Sequence, residues 1–130
     1  MIQLVKQILP ACVCLFMLTG LAKADALSDA KFAYDEGGYA KAVKLLKSLA
    51  LQGDASAQMM LGGMYIRGQG VSQNSKEAVK WYQLAAEQGS APAQFILGMM
   101  YHRGKVVHQD SKEAVKWYQL AAEKGNVTAP

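Results

Sequence analysis

Cysteine and histidine are both scarce in this chain. Both cysteines, Cys12 and Cys14, lie within the first 24 of the 130 residues. If that segment is removed, as the next paragraph predicts, the chain has no disulfide and no thiolate ligand for a metal. The two histidines, His102 and His108, have no carboxylate obviously placed to complete a ligand set. We therefore expect neither a metal site nor a cofactor.

The sequence also has no apolar run long enough for a membrane span. Lys6 precedes an apolar run over residues 8–21, which is shorter than the roughly 17–25 residues of a transmembrane helix. The following Ala22-Lys23-Ala24 fits a signal-peptidase site. Residues 1–24 are therefore predicted to be a secretory signal cut after Ala24, with an uncleaved N-terminal anchor as the alternative.

Strong charge and catalytic signatures are missing as well. The formal net charge of +4 falls to +2 once Lys6 and Lys23 leave with the signal, which argues against nucleic acid as a partner. Ser28-x-x-Lys31 matches the first element of penicillin-recognising serine enzymes, but neither K-T-G nor S-D-N is present. We expect a protein that is not an enzyme.

The chain does contain a repeat with a period of 36 residues. The segment SKEAVKWYQLAAE begins at Ser75 and returns at Ser111, and residues 53–88 match residues 89–124 at 25 of 36 positions without a gap. A period of this length is typical of stacked structural units, each too small to bury its own apolar face.

Each copy is predicted to be a hairpin of two helices. Helix A begins after the cap Asp54 (Ser90 in the second copy) and ends at a glycine, Gly68 or Gly104. Helix B begins after Asn74 or Asp110 and ends at Gly89 or Gly125. Glutamates three residues beyond those caps, Glu77 and Glu113, predict a reciprocal capping box in both copies.

A degraded unit precedes the two copies. Residues 39–53 retain Ala42, Val43, Lys44 and Gly53 at the same period, and a short helix ended by Gly37-Gly38 comes before them. The fold class is therefore all-α, an α-solenoid of about three antiparallel helix hairpins. Its segments are a signal (1–24), an atypical N-terminal hairpin (25–52), two repeats (53–88 and 89–124) and the start of a further repeat (125–130).

The apolar spacing within each helix predicts a repeated core. Gly62 and Gly98 interrupt helix A at the same site in both copies, where a glycine costs about 1 kcal/mol relative to alanine. We expect close helix approach there, with Ala78 and Ala85 as small partners and Trp81 filling the wider gap. The predicted core residues are Ala57, Leu61, Gly62, Tyr65, Ala78, Trp81, Ala85, Leu97, Gly98, Tyr101, Ala114, Trp117 and Ala121.

These motifs resemble the Sel-one-like repeat, a relative of the tetratricopeptide repeat. The resemblance rests on A-x-A-Q-x-x-L-G-x-M-Y-x-R-G at residues 55–68 and 91–104 and on E-A-V-K-W-Y-x-L-A-A-E-x-G at residues 77–89 and 113–125. It implies a right-handed superhelix whose concave face, lined mainly by A helices, binds other proteins. Bacterial members are often exported adaptors or regulators. Unlike the cysteine-rich Helicobacter members, this chain cannot staple its hairpins with disulfides.

The two copies differ mainly along one side of helix A, which we call the A-helix face. At about 100° per residue, the changed positions 56, 59, 63 and 66 fall within one arc opposite the constant core side. Apolar residues that vary on such a face indicate either a partner site or packing against the next repeat. The candidate partner-binding residues are Met59, Gly63, Ile66, Phe95, Met99 and His102.

The resulting functional hypothesis is a periplasmic or secreted bacterial protein-interaction module. It would act as an adaptor or regulator in the cell envelope and bind a protein or peptide on the A-helix face. One alternative is the penicillin-binding or β-lactamase-like activity that the resemblance associates with cysteine-rich members. The other is self-association of a truncated repeat protein, through a last helix B whose Trp117 and Tyr118 side has no following helix to cover it.

Overall fold

The computed structural model describes the backbone of residues 25–126 and the side chains of residues 25–124. This part of the chain contains six helices and no strand. The helices are α1 (residues 25–35), α2 (Tyr39–Leu51), α3 (Ala55–Arg67), α4 (Ser75–Glu87), α5 (Ala91–Arg103) and α6 (Ser111–Asn126). The prediction of an all-α chain of helical hairpins is confirmed. The predicted signal segment lies outside the described residues.

The A helices α3 and α5 begin and end where the sequence predicts. The side chain of Asp54 accepts a hydrogen bond from the Ala57 N–H at 2.9 Å, and Ser90 accepts one from Ala93 at 3.4 Å. At the other end Gly68 has a φ of 69° and Gly104 a φ of 64°. Glycine enters this left-handed region without a steric penalty, so the chain can leave the helix sharply at that residue.

The B helices begin at the predicted caps, but the capping box does not form. Asn74 accepts a hydrogen bond from the Glu77 N–H at 3.1 Å, as expected. The backbone N–H of Asn74, however, donates to the carbonyl of Tyr65 in the preceding helix at 2.9 Å, so it has no need of the Glu77 carboxylate. Glu77 instead pairs with Lys80. The same exchange occurs in the second copy, between Asp110 and Tyr101.

Helix α4 has two buried faces and links two hydrophobic clusters. Trp81 packs into a first cluster built from α1, α2 and α3, which includes Leu46 and Leu61. Other side chains of α4, including Tyr82, belong to a second cluster with α5 and α6, which also includes Leu97. Helix α4 therefore contributes buried apolar side chains to both clusters.

The neighbour of the repeated glycine is a tyrosine, not an alanine. A Cβ atom on Gly62 would lie 2.9 Å from a ring carbon of Tyr82, and one on Gly98 would lie 2.7 Å from the ring of Tyr118. The closest contact at this glycine is thus made by a tyrosine, and not by Ala78 or Ala85 as the sequence predicts. The reason given for the glycine, close approach of the B helix, is correct.

The expectation of an uncovered Trp117 is also wrong. Trp117 is 8% exposed and belongs to the second cluster, together with Leu97 of the preceding helix α5. The more open part of α6 begins later, at Ala121, which is half-buried, and Ala122, which is exposed. Their counterparts in α4 are almost completely buried.

Helix α6 continues through Gly125 to Asn126, although the sequence predicts an end at Gly125. In the first copy Gly89 has a φ of 93° and begins the turn into α5, where Ser90 donates to the carbonyl of Ala85. No helix follows α6 in the described part of the chain, so nothing there requires Gly125 to leave helical geometry.

Candidate functional site

Two neighbouring grooves lie along the A-helix face. Groove 1, of about 290 Å³, lies between the first helices of the hairpins. Its lining residues are Tyr34, Met59, Met60, Gly63, Arg67, Tyr82 and Ile96. Groove 2, of about 190 Å³, continues along α5. Its lining residues are Ile96, Met99, Met100, Arg103, Lys105 and Val106. Ile96 borders both grooves, so together they form one apolar track with an arginine in each half.

Groove 1 owes its depth to the missing side chain of Gly63. A Cβ atom there would lie 3.4 Å from Nη2 of Arg67 and 3.6 Å from the hydroxyl of Tyr82. Both polar groups are thus close to the floor of the groove. The second copy has Met99 at this position, and its side chain lines groove 2. The difference between the copies therefore opens one groove and narrows the other.

Hydrogen bonds hold the Arg67 side chain at the edge of groove 1. Its Nη1 donates to the Tyr34 hydroxyl at 2.9 Å and to Oε1 of Gln69 at 3.2 Å. The Tyr34 hydroxyl in turn donates to the same Gln69 oxygen at 3.2 Å. These bonds join α1, α3 and the loop after α3, and they leave Nη2 directed toward the Gly63 side.

Tyr82 supplies a second donor at the groove floor. Burial raises the pKa of its hydroxyl above the ordinary tyrosine value, and the positive charge of Arg67 partly offsets that rise. The hydroxyl is therefore protonated at neutral pH. Among the described residues, the hydrogen bonds around groove 1 join Arg67, Tyr34 and Gln69, which leaves the Tyr82 hydroxyl free to donate to a ligand.

The six candidate partner-binding residues lie in different environments in the structure. Met59 and Gly63 line groove 1, and Met99 lines groove 2. Ile66 is half-buried against the second cluster. Phe95 is 51% exposed, with its ring centroid 5.6 Å from that of Tyr118. His102 is exposed. The six therefore do not form one continuous patch.

Most of the predicted core residues are buried in the structure. Ten of them are buried: Ala57, Leu61, Gly62, Ala78, Trp81, Ala85, Leu97, Gly98, Ala114 and Trp117. The other three, Tyr65, Tyr101 and Ala121, are half-buried.

A polar contact that the sequence does not reveal accompanies this core. Gln58 is 3% exposed, and its amide donates to the carbonyl of Ala50 at 3.1 Å; Gln94 and Ala86 repeat the bond at 3.1 Å.

Several groove residues are absent from the candidates drawn from the sequence. They are Tyr34, Met60, Arg67, Tyr82, Ile96, Met100, Arg103, Lys105 and Val106. Arg67 and Arg103 occupy equivalent positions in the two copies, so a search for differences between copies passes over them. A search for charge would have found them, because the only charged side chains between Asp54 and Glu77 are Arg67 and Lys76.

The described residues contain neither a cluster of metal-ligating side chains nor a helix suited to span a membrane. Within residues 25–124 no group of three or more histidine, cysteine, aspartate or glutamate side chains could hold a metal ion. Among the described helices, none combines the length and the apolar character needed to cross a bilayer.

Comparison with solved structures identifies helical repeat proteins with the same architecture. The protective antigen c5321 of uropathogenic Escherichia coli, which displays an SLR fold, is 40% identical with a TM-score of 0.73, and the match covers 81% of this chain and 23% of that one. A Sel1 repeat protein of Oxalobacter formigenes is 37% identical with a TM-score of 0.73, with coverage of 80% and 44%. This chain thus spans less than half the length of these two relatives.

A third similar structure is the cysteine-rich protein B of Helicobacter pylori, 26% identical with a TM-score of 0.63, with coverage of 65% of this chain and 64% of that one. No curated protein matches the chain. The model of the Sel1 repeat, named above as the Sel-one-like repeat, matches residues 36–54, 55–90 and 91–126. The chain therefore belongs to the Sel1 repeat family.

Proposed function

We propose that this protein is an exported interaction module that binds a segment of a partner protein along grooves 1 and 2 of the A-helix face. Sel1 repeat proteins are in general protein–protein interaction modules, and their helical solenoid is typically a non-catalytic scaffold. Accordingly, the proposal assigns no reaction to the chain.

The observation that carries the proposal is the apolar track on an otherwise well-packed solenoid. Met59, Met60, Met99 and Met100 line it together with Ile96. Methionine side chains are flexible and polarizable, which suits a surface that must adapt to a partner. A concave, mostly apolar groove with a few polar groups is the usual form of a binding site.

Two observations support export to a bacterial envelope. The first is the leader at residues 1–24, with its basic start, apolar middle and Ala22-Lys23-Ala24 end. The second is the likeness to a protein described as a protective antigen of uropathogenic E. coli. The proposed sites of action are the periplasm or the extracellular space.

Site-specific photo-crosslinking tests the binding face. A photoreactive amino acid replaces Met59 in groove 1 or Met99 in groove 2, and the same amino acid replaces Lys80 or Lys116 on exposed parts of α4 and α6 as the matched control. Crosslinking is carried out in intact cells, and adducts are identified by mass spectrometry.

The groove positions are expected to yield the same partner, and the control positions are not. Equal capture from both sets of positions would contradict the assignment of the A-helix face. In the same cells, mass spectrometry of the envelope fraction is expected to find a chain that begins at Asp25. An intact Met1 terminus recovered only from the cytoplasm would contradict export.

A further inference from the structure

We infer that the bound segment carries an aspartate or glutamate next to an apolar side chain, and that groove 1 receives this carboxylate between Arg67 and Tyr82. This inference rests on the proposed function and specifies the chemistry of the partner segment. It concerns a site that the repeat itself does not require, because the second copy has no pocket floor of this kind.

The charged side chains that line the two grooves are all basic, namely Arg67, Arg103 and Lys105, and they favour an acidic ligand. Between Asp54 and Glu77 the charged residues are Arg67 and Lys76, and between Glu87 and Asp110 they are Arg103 and Lys105. Within the described residues the ion pairs join Lys80 to Glu77 and Lys116 to Glu113. Among the described residues, neither arginine of the track therefore forms an ion pair with a carboxylate.

Two donors converge on the floor of groove 1. Nη2 of Arg67 and the Tyr82 hydroxyl lie 3.4 and 3.6 Å from the point that a Gly63 Cβ would occupy. A carboxylate accepts such donors through its two oxygens, and hydrogen bonds with a charged partner are roughly twice as strong as neutral ones. Because Gly63 has no side chain, a carboxylate can approach the helix backbone there and reach both donors.

Arg67 is already ordered before any ligand arrives. Its bonds to Tyr34 and Gln69 fix the guanidinium at the groove edge, so less side-chain freedom is lost on binding. Arg103, the counterpart in the second copy, has Lys105 where the first copy has Gln69. That change replaces an acceptor by another cation, and the orienting bond cannot form there.

The rest of the groove selects an apolar neighbour. Met59, Met60 and Ile96 form its walls, and they would contact a leucine, isoleucine, methionine or phenylalanine beside the acidic residue. A positive charge near a helix C-terminus also complements the helix dipole. That effect accounts for an arginine in each copy, but it does not account for the Gly63 floor or for the free Tyr82 donor.

Selection from a random peptide display library tests the inference with the purified product of the full-length gene. The enriched peptides are expected to share one acidic position next to a large apolar residue. One enriched peptide is then synthesised with its acidic residue replaced by the isosteric amide, and the Kd values of both peptides are measured by fluorescence anisotropy. The Kd of the amide peptide is expected to be higher than that of the acidic peptide by about tenfold or more.

Variants of the protein assign this loss to groove 1. Arg67→Gln is expected to raise the Kd of the acidic peptide by about tenfold or more, and Tyr82→Phe to raise it several-fold. Neither substitution should change the Kd of the amide peptide. Lys80→Gln removes one positive charge outside the groove. Both Kd values should stay within about twofold of those of the wild type, because salt screens the interaction of a distant, exposed charge with the peptide. Arg67→Glu is expected to bind a peptide with lysine at the acidic position better than wild type does.

The outcomes separate the inference from the proposed function. Enriched peptides without an acidic position, or equal affinity for the acidic and amide peptides, would overturn the carboxylate assignment while a peptide-binding module stands. No enrichment at all would overturn both. The peptide comparison uses wild-type protein alone, so the inference stays falsifiable even if a variant fails to fold by circular dichroism.

Discussion

At the scale of single residues, the adjacent glycines Gly62 and Gly63 have different reasons to be glycine. A Cβ on Gly62 would meet the Tyr82 ring at 2.9 Å, whereas a Cβ on Gly63 would meet the flexible end of Arg67 at 3.4 Å. Gly62→Ala is therefore expected to lower the free energy of unfolding by about 1–3 kcal/mol through overpacking. Gly63→Ala is expected to raise it by up to about 1 kcal/mol, the helix-propensity difference.

Urea denaturation followed by circular dichroism measures both changes, and each variant serves as the control for the other. Because Gly63→Ala partly fills groove 1, its gain in stability should be accompanied by weaker binding of the acidic peptide. A Gly62→Ala protein as stable as wild type would show that the Tyr82 ring can move aside at little cost.

Gln94 illustrates a repeated contact that is only half completed. Its amide nitrogen donates to Ala86, but its buried Oε1 has no hydrogen-bond partner among the described residues. In the first copy the equivalent oxygen, on Gln58, accepts from Gln88 at 2.8 Å. The second-copy counterpart of Gln88 is Lys124, whose ammonium donates to the carbonyl of Gly89 instead.

Replacing Lys124 by glutamine should complete the contact. Lys124→Gln offers the buried Gln94 oxygen a donor, and we expect the free energy of unfolding to rise by about 1 kcal/mol, the typical contribution of one hydrogen bond. Thermal and urea unfolding measure the gain. Lys124→Ala is the matched control, because it removes the ammonium without supplying an amide; an equal gain from alanine would contradict the explanation.

The partial burial of Tyr82 makes stability sensitive to alkaline pH. Its pKa in the folded state is raised above the unfolded value near 10, chiefly because burial disfavours the phenolate. The folded state therefore holds this proton more tightly, and its stabilising effect is complete below the unfolded pKa. As pH rises past 10, the unfolded state ionises first and the free energy of unfolding falls.

The measurement is the urea midpoint as a function of pH for wild type and for Tyr82→Phe, which keeps the ring and removes the ionisable group. The decline above pH 10 should be smaller in the variant. Parallel curves for the two proteins would contradict a raised Tyr82 pKa, whatever the other tyrosines contribute.

At the scale of helices, the structure replaces the predicted capping box with a bond between helices. The side chain of Asn74 caps α4 by accepting from Glu77, while the backbone N–H of Asn74 donates to Tyr65. Asn74→Ala is thus expected to lower the free energy of unfolding by about 1 kcal/mol. Glu77→Gln should change it by less than about 0.5 kcal/mol, as a surface substitution without a capping role.

Both variants are compared by thermal unfolding at two salt concentrations, because the exposed pair of Glu77 with Lys80 is screened by salt. A loss of more than about 1 kcal/mol in Glu77→Gln that persists at high salt would indicate that the glutamate does cap the helix.

Helix bounds could be predicted from the sequence because caps and terminating glycines act locally. Asp54 and Gly68 determine α3 through bonds within a few residues of themselves. The neighbours of each helix face could not be predicted in the same way. The sequence predicts that Trp81 fills the gap beside Gly62, but its ring packs into the first cluster, and Tyr82 contacts the glycine. A rotation of the helix by about 100°, the angle between neighbouring residues, decides whether Trp81 or Tyr82 faces the glycine. Helical periodicity alone does not distinguish these two orientations.

The candidate site was only partly predictable for a related reason. Comparing the copies finds residues that changed, such as Gly63 and Met99, and it passes over constant residues such as Arg67 and Tyr82. Tyr82 packs its ring on Gly62 and also presents its hydroxyl to groove 1. A residue with two roles is constant because of its packing role, so its binding role leaves no trace in a comparison of copies.

At the scale of the whole molecule, the main helix contacts join elements adjacent in sequence, from α2 with α3 to α5 with α6. Stability in such a stack depends on each unit and on its interfaces with the next units. Leu61 and Leu97 are equivalent, almost fully buried residues of the first and second clusters, respectively. They therefore allow the two clusters to be weakened separately.

Leu97→Ala is expected to cost about 2–5 kcal/mol locally and to speed amide hydrogen exchange most in α5 and α6, with α2 least affected. Leu61→Ala should have the opposite pattern, with its largest effect in α2 and α3. Helix α4 should respond to both substitutions, because Trp81 belongs to the first cluster and Tyr82 to the second. Hydrogen exchange with mass spectrometry measures the pattern under native conditions. If either substitution lowered protection equally in all helices, the chain would unfold as one cooperative unit, and the α4 connection would be strong enough to merge the clusters.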